Sequence, residues 1–311
     1  MKAIVIEEYG DKDVLQERDV PMPGLKDNQV LLEIYATSIN PIDWKVREGY
    51  LTDMLPFSFP IILGWDASGV IKEKGKDVKN FHVGDRVFTR PATTNKGTYA
   101  EYTAVDEELL APMPESMTFS EAAAIPLAGM TAWQCLVDFA NIQSGDNVLI
   151  HAGSGGVGTF AIQIAKHFGA YVATTASQNH ALLKSLGADE VINYKEEDFS
   201  QILHDYDIVL DSIGGGVQSK SYHVLKKQGK LVSIAKPPEK EEADEHGVDS
   251  GFVWLQPKGE QLQRLADMYE KGELTPIIYE EFAFDEASLK EAHALSETNH
   301  ANGKIIVKVK E

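Results

Sequence analysis

Eight consecutive residues, His151-Ala152-Gly153-Ser154-Gly155-Gly156-Val157-Gly158, gather the groups best able to hold an anion. Gly153, Gly155 and Gly158 fit the spacing G-x-G-x-x-G, which is a weak signal by itself. Its flanks strengthen it. Val148-Leu149-Ile150 read as a strand before it, and Val157, Phe160, Ala161, Ile164, Ala165 and Phe168 recur at helical spacing after it. Gly169 supplies the helix stop. A pyrophosphate must approach backbone N–H groups at a helix N-terminus, and glycines keep side chains out of its way. Ser154, Gly155, Gly156 and Val157 are therefore expected to contact the phosphates of a dinucleotide. A glycine-rich turn without a ligand is the competing reading.

The choice of dinucleotide rests on the end of the next strand. An NAD site places Asp or Glu there to grip the ribose 2′-OH. Here the stretch reads Ala173-Thr174-Thr175-Ala176-Ser177-Gln178-Asn179, and no carboxylate occurs before Asp189. Thr175, Ser177 and Asn179 offer donors that tolerate a 2′-phosphate, so NADP(H) is the expected cofactor. The alternative is that these residues only cap the following helix.

The elements that must hold these groups divide the chain. The first 115 residues or so read as short strands with closely spaced glycine turns, the pattern of a compact β-barrel-like domain. Thr118-Phe119-Ser120-Glu121 has the form of a capping box, and two helical pieces split near Pro126 should follow. From Asn147 onward strands and helices alternate, which predicts a parallel sheet with helices on both faces. Residues 237–246, rich in Pro, Glu and Lys, read as a solvated loop. The strand at 304–310 is expected to return to the first domain.

Composition narrows the classes of function. The formal charge is −19, and so acidic a surface disfavours nucleic acid and anionic membranes as partners. One cysteine, Cys135, excludes an internal disulfide and a cysteine-rich zinc site. It reads as inert packing, and the chain as a cytoplasmic protein. No run of 18 apolar residues and no signal-peptide pattern occurs.

Four blocks, taken in order, resemble the zinc-independent branch of the medium-chain dehydrogenase/reductases, the quinone oxidoreductase-like proteins. They are Ser38-Ile39-Asn40-Pro41-Ile42-Asp43, Gly64-Trp65-Asp66-Ala67-Ser68-Gly69-Val70, the glycine loop, and Leu186-Gly187-Ala188-Asp189-Glu190-Val191-Ile192-Asn193-Tyr194. Gly303-Lys304-Ile305-Ile306-Val307 also fits. The resemblance implies an α/β protein: a GroES-like catalytic domain at 1–118, completed by 280–311, around a Rossmann domain at 119–279. It also implies an active site between the two and a homodimer.

The same resemblance places the zinc ligands of the alcohol dehydrogenases at Asn40, Trp65 and Asp66, with another near Leu127. These residues predict no metal. Without a Lewis acid, alcohol oxidation is hard, and reduction of an acceptor that already welcomes hydride is easier. The expected reaction is hydride transfer from NADPH to a small electrophile, a quinone or an α,β-unsaturated carbonyl. An enoyl-thioester reductase and a non-catalytic NADPH-binding protein are the alternatives. Asn40 is expected to hydrogen-bond substrate or nicotinamide ribose, unless it serves only a turn before Pro41. Tyr50 is a candidate proton donor, or else a loop tyrosine packed by its ring. Thr131 matches a position facing the nicotinamide in relatives, and Tyr194 an adenosine-side contact of NADPH-dependent ones.

Overall fold

The computed structural model describes residues 1–310. They form two compact units, Met1–Leu127 with Pro257–Gly272 and Pro276–Glu311, and Ala128–Gln256 with Glu273–Thr275. The division falls at 127/128 and 256/257, rather than at 118/119 and 279/280. The helix Phe119–Ala124 stays with the first unit, where the Ser68 hydroxyl donates to the Phe119 carbonyl at 2.6 Å. The helix Gly259–Glu270 does so too, because a side chain at Gly259 would overlap the carbonyl of Leu110.

The first unit carries β1 (Lys2–Ile6), β2 (Gln16–Asp19), β3 (Gln29–Ile39), β4 (Ile61–Ile62), β5 (Ala67–Lys74), β6 (Arg86–Thr89), β7 (Tyr102–Asp106) and β8 (Leu110–Pro112). The second carries β9 (Asn147–Ile150), β10 (Tyr171–Thr175), β11 (Glu190–Ile192), β12 (Tyr206–Asp211), β13 (Leu225–Ser233) and β14 (Asp249–Phe252). The chain then returns to the first unit with β15 (Ile278–Ala283) and β16 (Lys304–Lys308).

In the first unit a seven-stranded sheet runs β15-β16-β3-β5-β6-β8, with β7 also on β3, beside a three-stranded sheet β2-β1-β4. β3 is its spine. It pairs antiparallel with β16 through Ile39↔Ile305 and with β5 through Thr37↔Ala67. The start of β16, the start of β5 and the end of β3 are thereby brought together. β3 is buried on both faces for most of its length, although its alternation suggests one buried face. The reason is that helices Phe119–Ala124 and Glu286–Glu297 both pack on it.

The second unit is an all-parallel sheet in the order β11-β10-β9-β12-β13-β14. Counted from β9, this is the order 3-2-1-4-5-6 of a dinucleotide-binding sheet. β9 sits centrally and is flanked in register by β10 and β12.

Local signals are realised where they were clearest. Thr118 Oγ1 accepts from the Glu121 N–H and Glu121 returns the bond to the Thr118 N–H. Helices Phe119–Ala124 and Pro126–Trp133 meet at the proline. Residues 237–246 differ from expectation: Lys240–His246 is a helix, closed by Gly247 in the left-handed region. Its burial of Ala243 beside Tyr222, Leu231 and Val248 outweighs its charged composition.

Candidate active site

The first unit holds a closed polar cluster. Asn40 ends β3 and caps the helix Pro41–Arg47, Asp66 stands just before β5, and Lys304 opens β16. The strand register therefore assembles three residues remote in sequence. Asn40 Nδ2 donates to Asp66 Oδ2 at 2.7 Å, and its Oδ1 accepts from Lys304 Nζ at 2.5 Å. Lys304 also donates to the Ile39 carbonyl at 3.1 Å and lies 3.7 Å from Asp66. Asp66 takes two further bonds, from Ser38 Oγ at 2.6 Å and from the Leu127 N–H at 2.8 Å. Burial pulls the Lys304 ammonium below the usual lysine range, and the neighbouring Asp66 opposes that shift.

Next to it runs a second chain of buried groups. Arg47 Nη1 donates to His293 Nδ1 at 2.9 Å, because a guanidinium has only donors. The His293 proton then sits on Nε2 and points at Tyr99 Oη, 3.1 Å away. Tyr99 donates to Asp43 Oδ2 at 2.8 Å, which also accepts from the Asn40 N–H at 2.8 Å. Asp43 Oδ1 has no partner among the described residues. Burial raises the Asp43 carboxyl to about 7, against the opposing pull of the Asn40 and Tyr99 hydrogen bonds. Burial also lowers His293 to about 3, so its imidazole is neutral.

The second unit holds an open site. β9 ends in the loop that feeds the helix Gly156–His167, with Gly155 as its cap. The first intrahelical bond is Thr159 N–H to the Gly155 carbonyl, at 3.1 Å. The amides of Gly156, Val157 and Gly158 precede it and donate to no acceptor among the described residues. Three aligned donors at the positive end of a twelve-residue helix fit a pyrophosphate. Gly153 and Gly158 have a different role. A Cβ at Gly153 would overlap Thr174 Oγ1, and one at Gly158 would overlap the Ala152 carbonyl. A Cβ at Gly155 would press on the Ala152 carbonyl less severely, at 3.3 Å. Packing therefore demands the two glycines at 153 and 158.

The other expected residues separate into three groups. Ser154 to Val157 lie together at the end of β9, and Ser177, Asn179 and Tyr194 follow β10 and β11. Ser177 is half-buried, Asn179 is exposed with φ 61°, and Tyr194 is 52% exposed. Thr175 is close to the loop, but its hydroxyl is already engaged. It accepts from the Ala152 N–H at 3.2 Å and faces His151 Nδ1 at 3.2 Å. His151 Nε2 lies 2.9 Å from Ser221 Oγ, whose own proton goes to the Val217 carbonyl. The imidazole proton is thus on Nε2, and Thr175 gives its proton to Nδ1. Burial lowers His151 to about 4, so the ring stays neutral. Thr175 has no proton left for a phosphate and instead braces the loop through Ala152.

Asn40 is likewise only 2% exposed, and both ends of its amide are engaged within the cluster. The expected free amide for substrate is a structural tie. Tyr50 is 68% exposed, edge-on to Trp44, and its hydrogen bond to Glu48 raises its hydroxyl above the ordinary range. Thr131 is buried on Pro126–Trp133. Sequence reasoning missed Asp43, Tyr99, His293 and Arg47 as a network. Asp43 and Lys304 stood inside the quoted blocks, whereas Tyr99 and His293 carry no local signal.

Residues 26–115 match a family model described as alcohol dehydrogenase GroES-like domain, and residues 186–307 one described as zinc-binding dehydrogenase. A 2-methylene-furan-3-one reductase of Solanum lycopersicum is 37% identical, over 99% of this chain and 79% of the tomato protein. The chain belongs to the zinc-independent, quinone oxidoreductase-like branch of the medium-chain dehydrogenase/reductases. An NADPH-dependent alkenal/one oxidoreductase of Arabidopsis thaliana is 35% identical over the same shares of the two chains. The solved quinone oxidoreductase from Coxiella burnetii is 38% identical, with a TM-score of 0.90 over 100% of this chain and 99% of its own.

The zinc in the second family description does not fit these residues. Trp65 is wholly buried, and its indole N–H, a donor only, bonds the Thr94 carbonyl. Leu127 offers Asp66 a backbone N–H. The Lys304 ammonium already occupies Asn40 Oδ1 and neighbours Asp66, so a second cation would meet a fixed positive charge.

Proposed function

We infer that this chain is an NADPH-dependent oxidoreductase that reduces a quinone or an α,β-unsaturated carbonyl without metal assistance. The observation that carries this reading is the row of unpaired amides at Gly156, Val157 and Gly158, in a 3-2-1-4-5-6 sheet whose second strand is followed by no carboxylate before Asp189. The names of the relatives support the acceptor class, since both plant proteins are named for enal- or enone-type substrates.

NADPH, when bound, supplies the hydride. The chain's own part is binding and placement. Backbone amides offset the pyrophosphate charge on a surface whose formal charge is −19. Ser177, Asn179 and Tyr194 are assigned to the adenosine side, and Thr131 to the nicotinamide side. The first unit supplies the catalytic half, in which Asn40 acts as a positioning residue. The residues around Asn40 do not form a metal-ligand set, which suits acceptors that are already electron-poor. Because Glu48 holds the Tyr50 hydroxyl proton, water is the better proton source.

We assign the protein to a reducing cytoplasm as a homodimer. The compartment is supported by a single, buried Cys135, whose thiol burial pushes up out of the reactive range. The dimer rests on family habit. No helix among the described residues is long and apolar enough to cross a membrane.

The test is NADPH oxidation against a panel of quinones, enones and 2-enoyl thioesters. Turnover of the first two classes is expected. Turnover confined to thioesters would replace the substrate class, and tight NADPH binding with no turnover would leave a binding protein.

A further inference from the structure

The stretch after β10 contains no lysine or arginine before Lys184. Lys184 is turned away, with Nζ on the Asp189 carbonyl at the start of β11. A 2′-phosphate held only by the neutral groups of Ser177 and Asn179 would lack a counter-charge. The parallel pairing of β10 with β11 supplies one from the neighbouring strand. Thr174 lies opposite Val191 and Thr175 opposite Ile192, and the Ala176 N–H donates to the Ile192 carbonyl at 3.0 Å. The residues leaving β11, Asn193-Tyr194-Lys195, therefore start from the strand end next to the one that Ser177-Gln178-Asn179 leave.

Lys195 is exposed, and its ammonium makes no hydrogen bond or ion pair among the described residues. Lys166, Lys220, Lys226 and Lys236 pair with Asp189, Asp198, Asp207 and Glu239, and neither Lys227 nor Lys240, exposed lysines that do not, directly follows β10 or β11. The backbone at Lys195 is held. Its N–H donates to Asn193 Oδ1 at 3.2 Å, and the Asn193 carbonyl accepts from the amides of Glu196 and Glu197 at 2.9 Å. This turn fixes where the lysine stem leaves the strand end. Lys195 is the one cation in the stretch 193–198, and it must outweigh the repulsion of a phosphate by Glu196 and Glu197.

We propose that Lys195, reaching across from the end of β11, is the residue that selects NADPH over NADH, by pairing with the 2′-phosphate beside Ser177. The proposal rests on the cofactor reading above. An ammonium–phosphate contact is a charge-assisted bond, roughly twice as strong as the neutral hydroxyl and amide bonds around it. NADH lacks the phosphate and gains nothing from the lysine.

Titration of NADPH and NADH against wild type, Lys195→Met, Lys195→Glu and Lys184→Met tests this. Lys195→Met should weaken NADPH about tenfold, equivalent to about 1.4 kcal/mol, and leave NADH within about twofold. Lys195→Glu should weaken NADPH further, again with NADH nearly unchanged. Raised salt should erode NADPH affinity more in wild type than in Lys195→Met. Lys184→Met, which removes a charge at the other end of β11, should spare both nucleotides. An NADPH shift below about twofold in Lys195→Met, equal losses for both nucleotides, or equal wild-type affinities would overturn the proposal. Wild type that binds neither nucleotide would remove the cofactor reading, and this assignment with it.

Discussion

The polar cluster of the first unit and the glycine loop of the second are built on opposite principles. Around Asn40, Asp66 and Lys304 nearly every polar atom has a partner in the chain, and the members are buried. At Gly156, Val157 and Gly158 the donors are left without acceptors among the described residues. A buried polar group must be satisfied, or it costs the full desolvation of that group. An unsatisfied row of amides at a helix start is tolerable when water or a ligand completes it. The closed cluster therefore holds backbone in place, and the open loop is where we propose that the cofactor phosphates are met. His151 and Thr175 belong to the closed kind, although they adjoin the open loop, since they brace Ala152 at the loop's start.

The sharpest way to break this contrast is to fill the open site. Gly156→Asp should abolish measurable NADPH binding while the thermal midpoint stays within a few degrees. A carboxylate in the first helical turn suits the helix dipole, so folding is spared while the pyrophosphate is repelled. Calorimetric titration beside a melting curve separates the two effects. Retained affinity would mean that this loop is not the phosphate site.

Opening the closed site should do the reverse. Lys304→Met leaves Asp66 as a buried, poorly compensated charge and strips Asn40 Oδ1 of its donor. Breaking a buried pair by removing one partner costs about 3–5 kcal/mol. Urea unfolding should register that loss. The NADPH affinity of the fraction that remains folded should change little. A loss below about 1 kcal/mol would mean that Asp66 finds other compensation.

A smaller effect is expected in the pH dependence of stability. Asp43 titrates at about 7 in the folded chain, above its ordinary value of 3.8. Between these values the unfolded chain gives up the Asp43 proton and the folded chain keeps it. This group's contribution is therefore fully present below about pH 4 and is lost as pH rises to about 7. Asp43→Asn should flatten that part of the curve and help most, relative to wild type, near pH 8. Unfolding midpoints at pH 5, 6, 7 and 8 measure it, and parallel curves for the two proteins would contradict it.

The smallest expected effect is at Tyr50. Its exposure and its bond to Glu48 predict that Tyr50→Phe lowers kcat by less than about threefold. A loss of tenfold or more at unchanged KM would make Tyr50 the proton donor after all.

The legible parts of this protein were those whose physics is local. The glycine loop could be read because tight turning and helix entry are both decided within eight residues. The Thr118 capping box and the break at Pro126 involve neighbours three residues or fewer apart. Residues 240–246 were misread for the same reason. Their charge suggested a loop, and only contacts made by Ala243 with distant residues favour the helix.

By itself the sequence determined the alternation of strand and helix after Asn147, the glycine-rich turn from strand to helix and the absence of a carboxylate after the second strand of the parallel sheet. Tertiary structure decided which polar side chains remain free to serve a ligand. Asn40 looked available until β5 and β16 brought Asp66 and Lys304 to it, from 26 and 264 residues away. Thr175 looked like a phosphate donor until His151, its tautomer set by Ser221, claimed its proton. Hydrogen-bond capacity is written into each residue, but its use depends on which groups the strand register carries into reach.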